Sequence, residues 1–337
     1  MQVRDLKAKL DRFAGPLHRA FKYNVNSWLR EMPRSKRIVT WVGILLQGYA
    51  IYCLWSRSLV WPLMWPHGIL LYIFAWLFYV LGWWLMNAML TSELVRKTQL
   101  EADQIAARQI QQTLQPGKLD TLPGYELETF YKPYREVGGD YFDVIELANQ
   151  RTLFTVADVS GKGMPAALLA ANIQALVRSI ANLEAHPLAL ARQINQHLCR
   201  YSPSDRFATA VFIVLNRETG ELTYVNAGHN APIVFSSGSA IELEATGMPL
   251  GLFPEAAYEA RQALLSPGGA LLVFTDGFTD SISGENPENR LRDALAGTSD
   301  KTMLLLKSLV DPQFNEDDIT ILLVKRDAGA ASRNKPG

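Results

Sequence analysis

Aspartates gathered in four short motifs are the residues of this chain best suited to chemistry. They stand in Gly138-Gly139-Asp140-Tyr141-Phe142-Asp143, Asp158-Val159-Ser160-Gly161-Lys162-Gly163, Thr275-Asp276-Gly277 and Asp317-Asp318-Ile319-Thr320. Carboxylates brought together repel, and each takes up a proton unless a cation holds it ionised. A hard divalent ion is the natural counter-charge. Mg²⁺ and Mn²⁺ prefer oxygen ligands, and two such ions about 3.5 to 4 Å apart clamp a phosphorus centre under attack. Zinc fits poorly, because Cys53, Cys199 and the five histidines show no pairing at ligand spacing.

Taken singly, an Asp-Gly is as well explained as a turn former whose side chain bonds its own backbone. Four motifs that each end or open an apolar run ask for more than turns. Val156-Ala157 leads into Asp158, Leu271 to Phe274 leads into Thr275-Asp276, and Ile319 to Val324 trails Asp318. The carboxylates are therefore expected at strand ends around one locus, where a rigid scaffold holds charged groups.

The elements that must do the holding are legible as apolar periodicity. Strands are expected at Tyr125 to Tyr131, Phe142 to Leu147, Thr152 to Ala157, Ala208 to Asn216, Leu222 to Asn226, Ile233 to Phe235, Ala270 to Phe274 and Ile319 to Lys325. Arg217-Glu218-Thr219-Gly220 and Ser236-Ser237-Gly238 have hairpin chemistry, while Pro165 to Leu183, Pro187 to Tyr201 and Thr302 to Val310 read as helices. Strands mixed with paired helices predict an α+β domain.

Other chemistries fail on pattern. Ser160 lies beside Lys162, but the esterase elbow G-x-S-x-G and ordered Asp and His partners are missing. Gly161-Lys162-Gly163 lacks the spacing and the hydroxyl residue of a Walker loop. His229, alone beside a strand, reads as a hydrogen-bonded structural group. Lys132, Arg135 and Lys162 are candidates for phosphate contact, with simple solvation as the alternative.

At these residues the sequence resembles a known family. Val137 to Asp143, Ala157 to Leu168, Asn226-Ala227-Gly228-His229-Asn230-Ala231-Pro232, Phe274 to Gly277 and Asp317 to Thr320 look like the bacterial PPM (PP2C-like) serine/threonine phosphatases of the SpoIIE/RsbU type, in family order, over roughly Leu114 to Lys325. The resemblance implies a PP2C-like α-β-β-α sandwich, two packed, mainly antiparallel sheets flanked by helices. It implies two Mn²⁺ or Mg²⁺ ions bridged by Asp158, the first also held by the Val159 carbonyl, the second by Asp276 and Asp317, with Asp140 holding metal-bound water. Asp143 and Asp318 fall outside that ligand set. The implied reaction is hydrolysis of phosphoserine or phosphothreonine by a metal-activated water without a protein nucleophile. The implied substrate is a cytosolic regulator resembling an anti-sigma-factor antagonist of STAS type. An idle scaffold binding such a regulator, and a metal-dependent phosphodiesterase, are the alternatives.

The first third of the chain calls for a membrane. Ile38 to Trp55 carries no charge and as a helix reaches about 27 Å, close to the hydrocarbon thickness. Gly68 to Leu90 is again uncharged, and Trp61, Trp65, Trp83 and Trp84 suit interfacial belts. A signal peptide fits less well, since the first run is long, begins late and has a second behind it. Ten Lys and Arg residues from Arg4 to Arg37 precede the first span, and Arg96 and Lys97 follow the second. The loop between holds only Arg57 and His67. Both termini and the catalytic part are thus expected on the cytoplasmic side of the cell's inner membrane.

The expected organisation is a basic arm (1–37), two transmembrane helices (38–90), a linker helix (91–115), the phosphatase domain (116–327) and a disordered tail (328–337). In the linker, Val95, Thr98, Ala102 and Ile105 sit at heptad positions, while Ala102, Ala106, Ile110 and Leu114 form a second stripe. Gln109 and Gln112 take the next heptad positions, so any coiled coil is weak; the helix can pair with its twin in a homodimer or dock on the phosphatase, with a passive spacer as the equal alternative. With 337 residues, 33 basic against 33 acidic groups and 48% hydrophobic content, the chain holds one catalytic domain plus an extra module. No basic stripe with interleaved aromatics marks the catalytic part for nucleic acid.

Overall fold

A computed structural model describes residues 34–56, 66–116, 122–203, 205–236, 239–282, 290–291, 302–311 and 316–329. The basic arm before residue 34, the loop 57–65 and the tail beyond 329 lie outside the described residues. The chain divides into two compact units, Met1–Glu101 and Ala102–Gly337.

In the first unit, α1 (Arg34–Ser56) and the start of α2 (Pro66–Leu114) cover the two uncharged runs. Their described large apolar side chains, among them Trp41, Leu45, Trp76, Leu77 and Trp83, are exposed. The two helices touch through glycines: a Cβ on Gly82 would stand 2.8 Å from the Gly43 carbonyl oxygen. Small residues at a crossing let two backbones approach, which is how apolar helices associate without a hydrophobic core. Among the described residues two helical stretches are long and apolar enough to cross a bilayer, Ile73–Leu114 and Met164–Leu183. The second is a core helix of the catalytic unit, packed on a sheet through Ile173 and Val177.

The second unit is built from β1 (Tyr125–Lys132), β2 (Tyr141–Leu147), β3 (Arg151–Val159), α3 (Met164–Leu183), α4 (Pro187–Tyr201), β4 (Ala208–Asn216), β5 (Glu221–Ala227), β6 (Ile233–Ser236), β7 (Ser239–Glu242), β8 (Arg261–Leu264), β9 (Ala270–Phe274), α5 (Asp276–Asp280), α6 (Thr302–Leu309) and β10 (Ile319–Arg326). Two five-stranded antiparallel sheets form, in the orders β1-β10-β9-β6-β7 and β2-β3-β4-β5-β8.

Period-two alternation divides each central strand between two cores. On β3, Phe154 and Val156 enter the layer between the sheets, while Leu153, Ala157 and Val159 meet α3 and α4. On β10, Leu322 and Val324 enter that same layer, whereas Ile319, Ile321 and Leu323 pack against Phe278 of α5 and Met303 and Leu306 of α6. Strands buried on both faces need apolar residues at every position, so the runs read as continuous. The result is the expected α-β-β-α sandwich.

α3 begins where its sequence allows. Pro165 occupies the first turn, where a missing N–H costs nothing, and the Ala167 N–H donates to the Gly163 carbonyl at 3.0 Å. Asp143 fastens this helix to β2. Its buried carboxylate accepts from Arg178 Nε at 2.7 Å and from the Tyr141 hydroxyl at 3.1 Å, so it faces the helix layer, away from the other motif aspartates.

Candidate active site

Strand register brings the four motifs together. Tyr141 pairs with Ala157, so Asp140 and Asp158 are neighbours at one end of their sheet. Ile321 pairs with Phe274, so Thr275-Asp276 and Asp317 to Thr320 are neighbours in the other. Asp140 joins the two sheets: its Oδ2 accepts from Thr275 Oγ1 at 2.9 Å and from Thr320 Oγ1 at 2.5 Å. The Thr320 N–H in turn donates to Thr275 Oγ1 at 3.0 Å.

The close approach of Asp276 to Asp317 depends on Gly277. A Cβ there would lie 2.1 Å from the Asp318 carbonyl oxygen and 3.3 Å from the Asp317 carbonyl carbon. Asp318 holds the neighbouring loop with both carboxylate oxygens. Its Oδ1 accepts from the Tyr134 N–H at 2.7 Å and its Oδ2 from the Gly139 N–H at 2.5 Å.

Electrostatics record the crowding. Burial first, then the charges of Asp276, Asp317 and Asp318, push Asp158 up to about 7, and a hydrogen bond shared with Asp140 pulls the other way. That bond requires one of the two carboxyls to carry a proton. Burial and then Asp158 and Asp318 hold Asp140 well above the ordinary carboxylate range. Asp276 is raised by burial and by Asp317. Protonation is how a carboxylate cluster relieves itself without a cation.

The donors fit a divalent metal in kind and location: several acidic oxygens, mutually raised, at the junction of two rigid sheets. As they stand they do not form a closed cage, since among the described residues no three Asp, Glu, His or Cys side chains make a ready ligand group. Two contacts show why. Asp140 is turned onto its threonines, and the Lys162 ammonium sits 3.0 Å from Asp317 Oδ2 and 2.6 Å from the Glu316 carbonyl oxygen.

The candidate phosphate contacts are dispersed. Lys162 is thus engaged with a carboxylate and lies over the Tyr134 ring, 5.2 Å from its centroid. The Arg135 guanidinium lies beside Gly163, and Lys132 ends β1, half-buried. His229 is buried, pushed down to about 4 by that burial, with Nδ1 2.9 Å from Thr209 Oγ1 and its own N–H donating to Asn226 Oδ1 at 2.7 Å. This is the structural role expected. Sequence reasoning missed the work of Thr275 and Thr320 on Asp140, and of Arg206, whose Nη1 donates to the Ser160 carbonyl at 2.9 Å. The threonines stand inside the motifs, but only the sheet pairing reveals their target.

A pH dependence follows. A carboxyl raised in the fold from 3.8 to about 7, as Asp158 is, favours folding while protonated in the native state, and that contribution is lost as pH rises through this window. His229, depressed from 6.5 to about 4, acts oppositely below about 6.5. In chelator, the melting temperature should therefore fall between about pH 6.5 and 8, and a divalent cation should reverse the slope. A chelated protein whose melting temperature is flat or rising over that range would contradict the coupling.

The profile of the SpoIIE family, described as Stage II sporulation protein E, matches residues 148–327. The chain is 28% identical over 258 residues to Protein IcfG of Synechocystis sp., covering 65% of this chain and 40% of that protein. It is 27% identical over 176 residues to the phosphoserine phosphatase RsbU of Bacillus subtilis, covering 52% of each. The chain thus spans about half or less of the length of these curated relatives. Among solved structures, the SiaA-PP2C domain of Pseudomonas aeruginosa superposes with a TM-score of 0.60 at 24% identity, covering 69% of this chain and 99% of that domain. At that identity the likeness speaks for the fold.

Proposed function

The chain belongs to the SpoIIE family, and we propose that it is a metal-dependent protein serine/threonine phosphatase, tethered to a membrane, that acts on a phosphorylated cytosolic regulator. The observation that carries this reading is the convergence of Asp140, Asp158, Asp276 and Asp317 at the junction of the two sheets, where strand register and the Thr275 and Thr320 bonds to Asp140 place them.

In this reading Asp158, the Val159 carbonyl, Asp276 and Asp317 hold two Mn²⁺ or Mg²⁺ ions, with Asp140 alongside. Such ions neutralise phosphoryl charge and activate water for in-line attack. The chain's own residues supply position. Thr275 and Thr320 aim Asp140 through Oδ2 and leave Oδ1 for the site, while Asp318 spends its carboxylate on the loop 134–139. Lys162 competes with a cation for Asp317, and its ammonium is a candidate for phosphate contact once a cation takes that carboxylate.

The substrate class follows from resemblance: a phosphoserine or phosphothreonine on a regulator like an anti-sigma-factor antagonist of STAS type. The uncharged stretch Ile38 to Trp55 within α1 and the apolar start of α2 support a two-span anchor with the catalytic unit cytoplasmic. The division into arm, spans, linker, phosphatase domain 116–327 and tail belongs to the same reading. Leu94, Val95, Leu100 and Ile105 are exposed along α2, which suits pairing with a second copy through the linker.

The test uses the full chain in detergent with a phosphoserine peptide. Phosphate release is expected with Mn²⁺, none with chelator, and a fall of about 10²-fold or more in Asp276→Asn. Release that survives chelation, or equal release from Asp276→Asn, would reject the reading.

A further inference from the structure

The last turns of α2 grip the loop that carries Asp140. Gln111 does so with both ends of its amide: Nε2 donates to the Gly138 carbonyl at 2.7 Å, and Oε1 accepts from the Gly138 N–H at 3.2 Å. Both backbone polar groups of one residue, two positions before Asp140, are thus satisfied by a single side chain 27 positions earlier. On its other side the loop is held by Asp318 through the Gly139 N–H. Between these two holds the chain has little freedom, and it delivers Asp140 to Thr275 and Thr320.

Among the described residues no other side chain hydrogen-bonds the Gly138 backbone. Arg108 pairs with Glu136 at 3.1 Å, but both side chains are about half exposed, where an ion pair contributes little. Gln174 of α3 donates to the Leu114 carbonyl, which ties α2 to α3 without touching the loop. Beneath these ties lies a cavity of about 120 Å³ lined by Ala107, Ile110, Leu114, Met164 and Leu168, with Asp140 at its edge. The loop is closely packed on its other face, where a Cβ on Gly139 would stand 3.1 Å from the Val159 carbonyl oxygen and 3.2 Å from the Ala166 Cβ, so Gln111 and Asp318 hold it from opposite sides.

Resting on the phosphatase reading above, we infer that Gln111 is a positioning residue for catalysis: its paired hydrogen bonds to the Gly138 peptide set where Asp140 stands. Its loss should act on the chemical step and on cation binding, and hardly on substrate binding. A carboxylate moved by a fraction of an ångström still permits docking of a phosphopeptide but not an aligned attack.

The experiment compares full-length wild type, Gln111→Met, Gln111→Glu and Arg108→Ala in detergent, measuring Mn²⁺ affinity by calorimetry, melting temperature, and kcat and KM on p-nitrophenyl phosphate. Methionine keeps the volume and helix preference while removing both bonds; glutamate keeps the acceptor but turns a charge toward the Gly138 carbonyl. Both Gln111 variants should lose about tenfold or more in kcat and several-fold in Mn²⁺ affinity, with KM within about twofold. Arg108→Ala should match wild type. Wild-type kcat and Mn²⁺ affinity in either folded Gln111 variant, or an equal loss in Arg108→Ala, would overturn the assignment while leaving the phosphatase reading intact. A wild-type chain that neither binds Mn²⁺ nor releases phosphate would sink that reading, and this inference with it.

Discussion

Asp158→Asn is expected to abolish tight divalent-cation binding and to lower kcat by roughly 10³-fold, a loss of ~4 kcal/mol of transition-state stabilisation. Asp158 ends β3 between Asp140 on its own sheet and Asp276 and Asp317 on the other, and its carboxylate is the one to which the charges of Asp276, Asp317 and Asp318 all couple. An amide keeps the shape and offers one neutral oxygen, too weak a donor to replace a shared carboxylate ligand. Stability should move the opposite way. In chelator at pH 8 the variant no longer carries a half-buried charge facing three others, so it should be more stable by on the order of 1–3 kcal/mol, a figure discounted for partial solvent screening. Calorimetric titration with Mn²⁺, steady-state kinetics and melting in chelator read the three effects separately. Lost activity combined with lost stability would mark Asp158 as structural. Unchanged cation affinity would remove it from the ligand set.

That opposition between function and stability also explains what the sequence could disclose. Central strands were legible because they are buried on both faces: Leu153 to Val156 and Ile321 to Val324 are apolar at nearly every position. β7 and β8 were not. Ser239–Glu242 and Arg261–Leu264 lie at the free edges of their sheets, pair on one side only and show polar, exposed residues, so neither periodicity nor composition marks them. α5 escaped for a different reason, being five residues long and opened by the Thr275-Asp276-Gly277 motif itself.

The site was legible as a set of aspartates but not in its division of labour. The family likeness leaves Asp143 and Asp318 outside the implied ligand set; in the structure one is bound to Arg178 in the helix layer, the other to two backbone N–H groups. Partners 35 and about 180 residues away leave no local signature. The same holds for Lys162, which local reasoning could take only as solvated or phosphate-binding, and which pairs with Asp317 across the site. Long-range polar pairings arise from sheet register, and register is fixed by the whole sandwich.

Gly277→Ala should be nearly as damaging as loss of a ligand, although it removes no chemical group. The added methyl would meet the Asp318 carbonyl oxygen at 2.1 Å and its carbonyl carbon at 3.0 Å, and both are backbone atoms that cannot rotate aside. α5 cannot simply swing away, because Phe278 is fully buried beside Phe274, their ring centroids 5.9 Å apart in an edge-to-face contact. Strain must therefore appear as a separation of the Asp276 turn from the Asp317-Asp318 segment. The expected costs are about 1–3 kcal/mol of stability from overpacking and about 10²-fold in kcat from displaced ligands, with cation affinity falling in parallel. Raising the Mn²⁺ concentration should recover part of the activity, since the carboxylates are moved and not removed. That partial rescue separates a spacing defect from unfolding: an alanine variant with wild-type melting temperature, wild-type Mn²⁺ affinity and wild-type turnover would mean that the proximity of Asp276 to Asp317 has no part in the reaction.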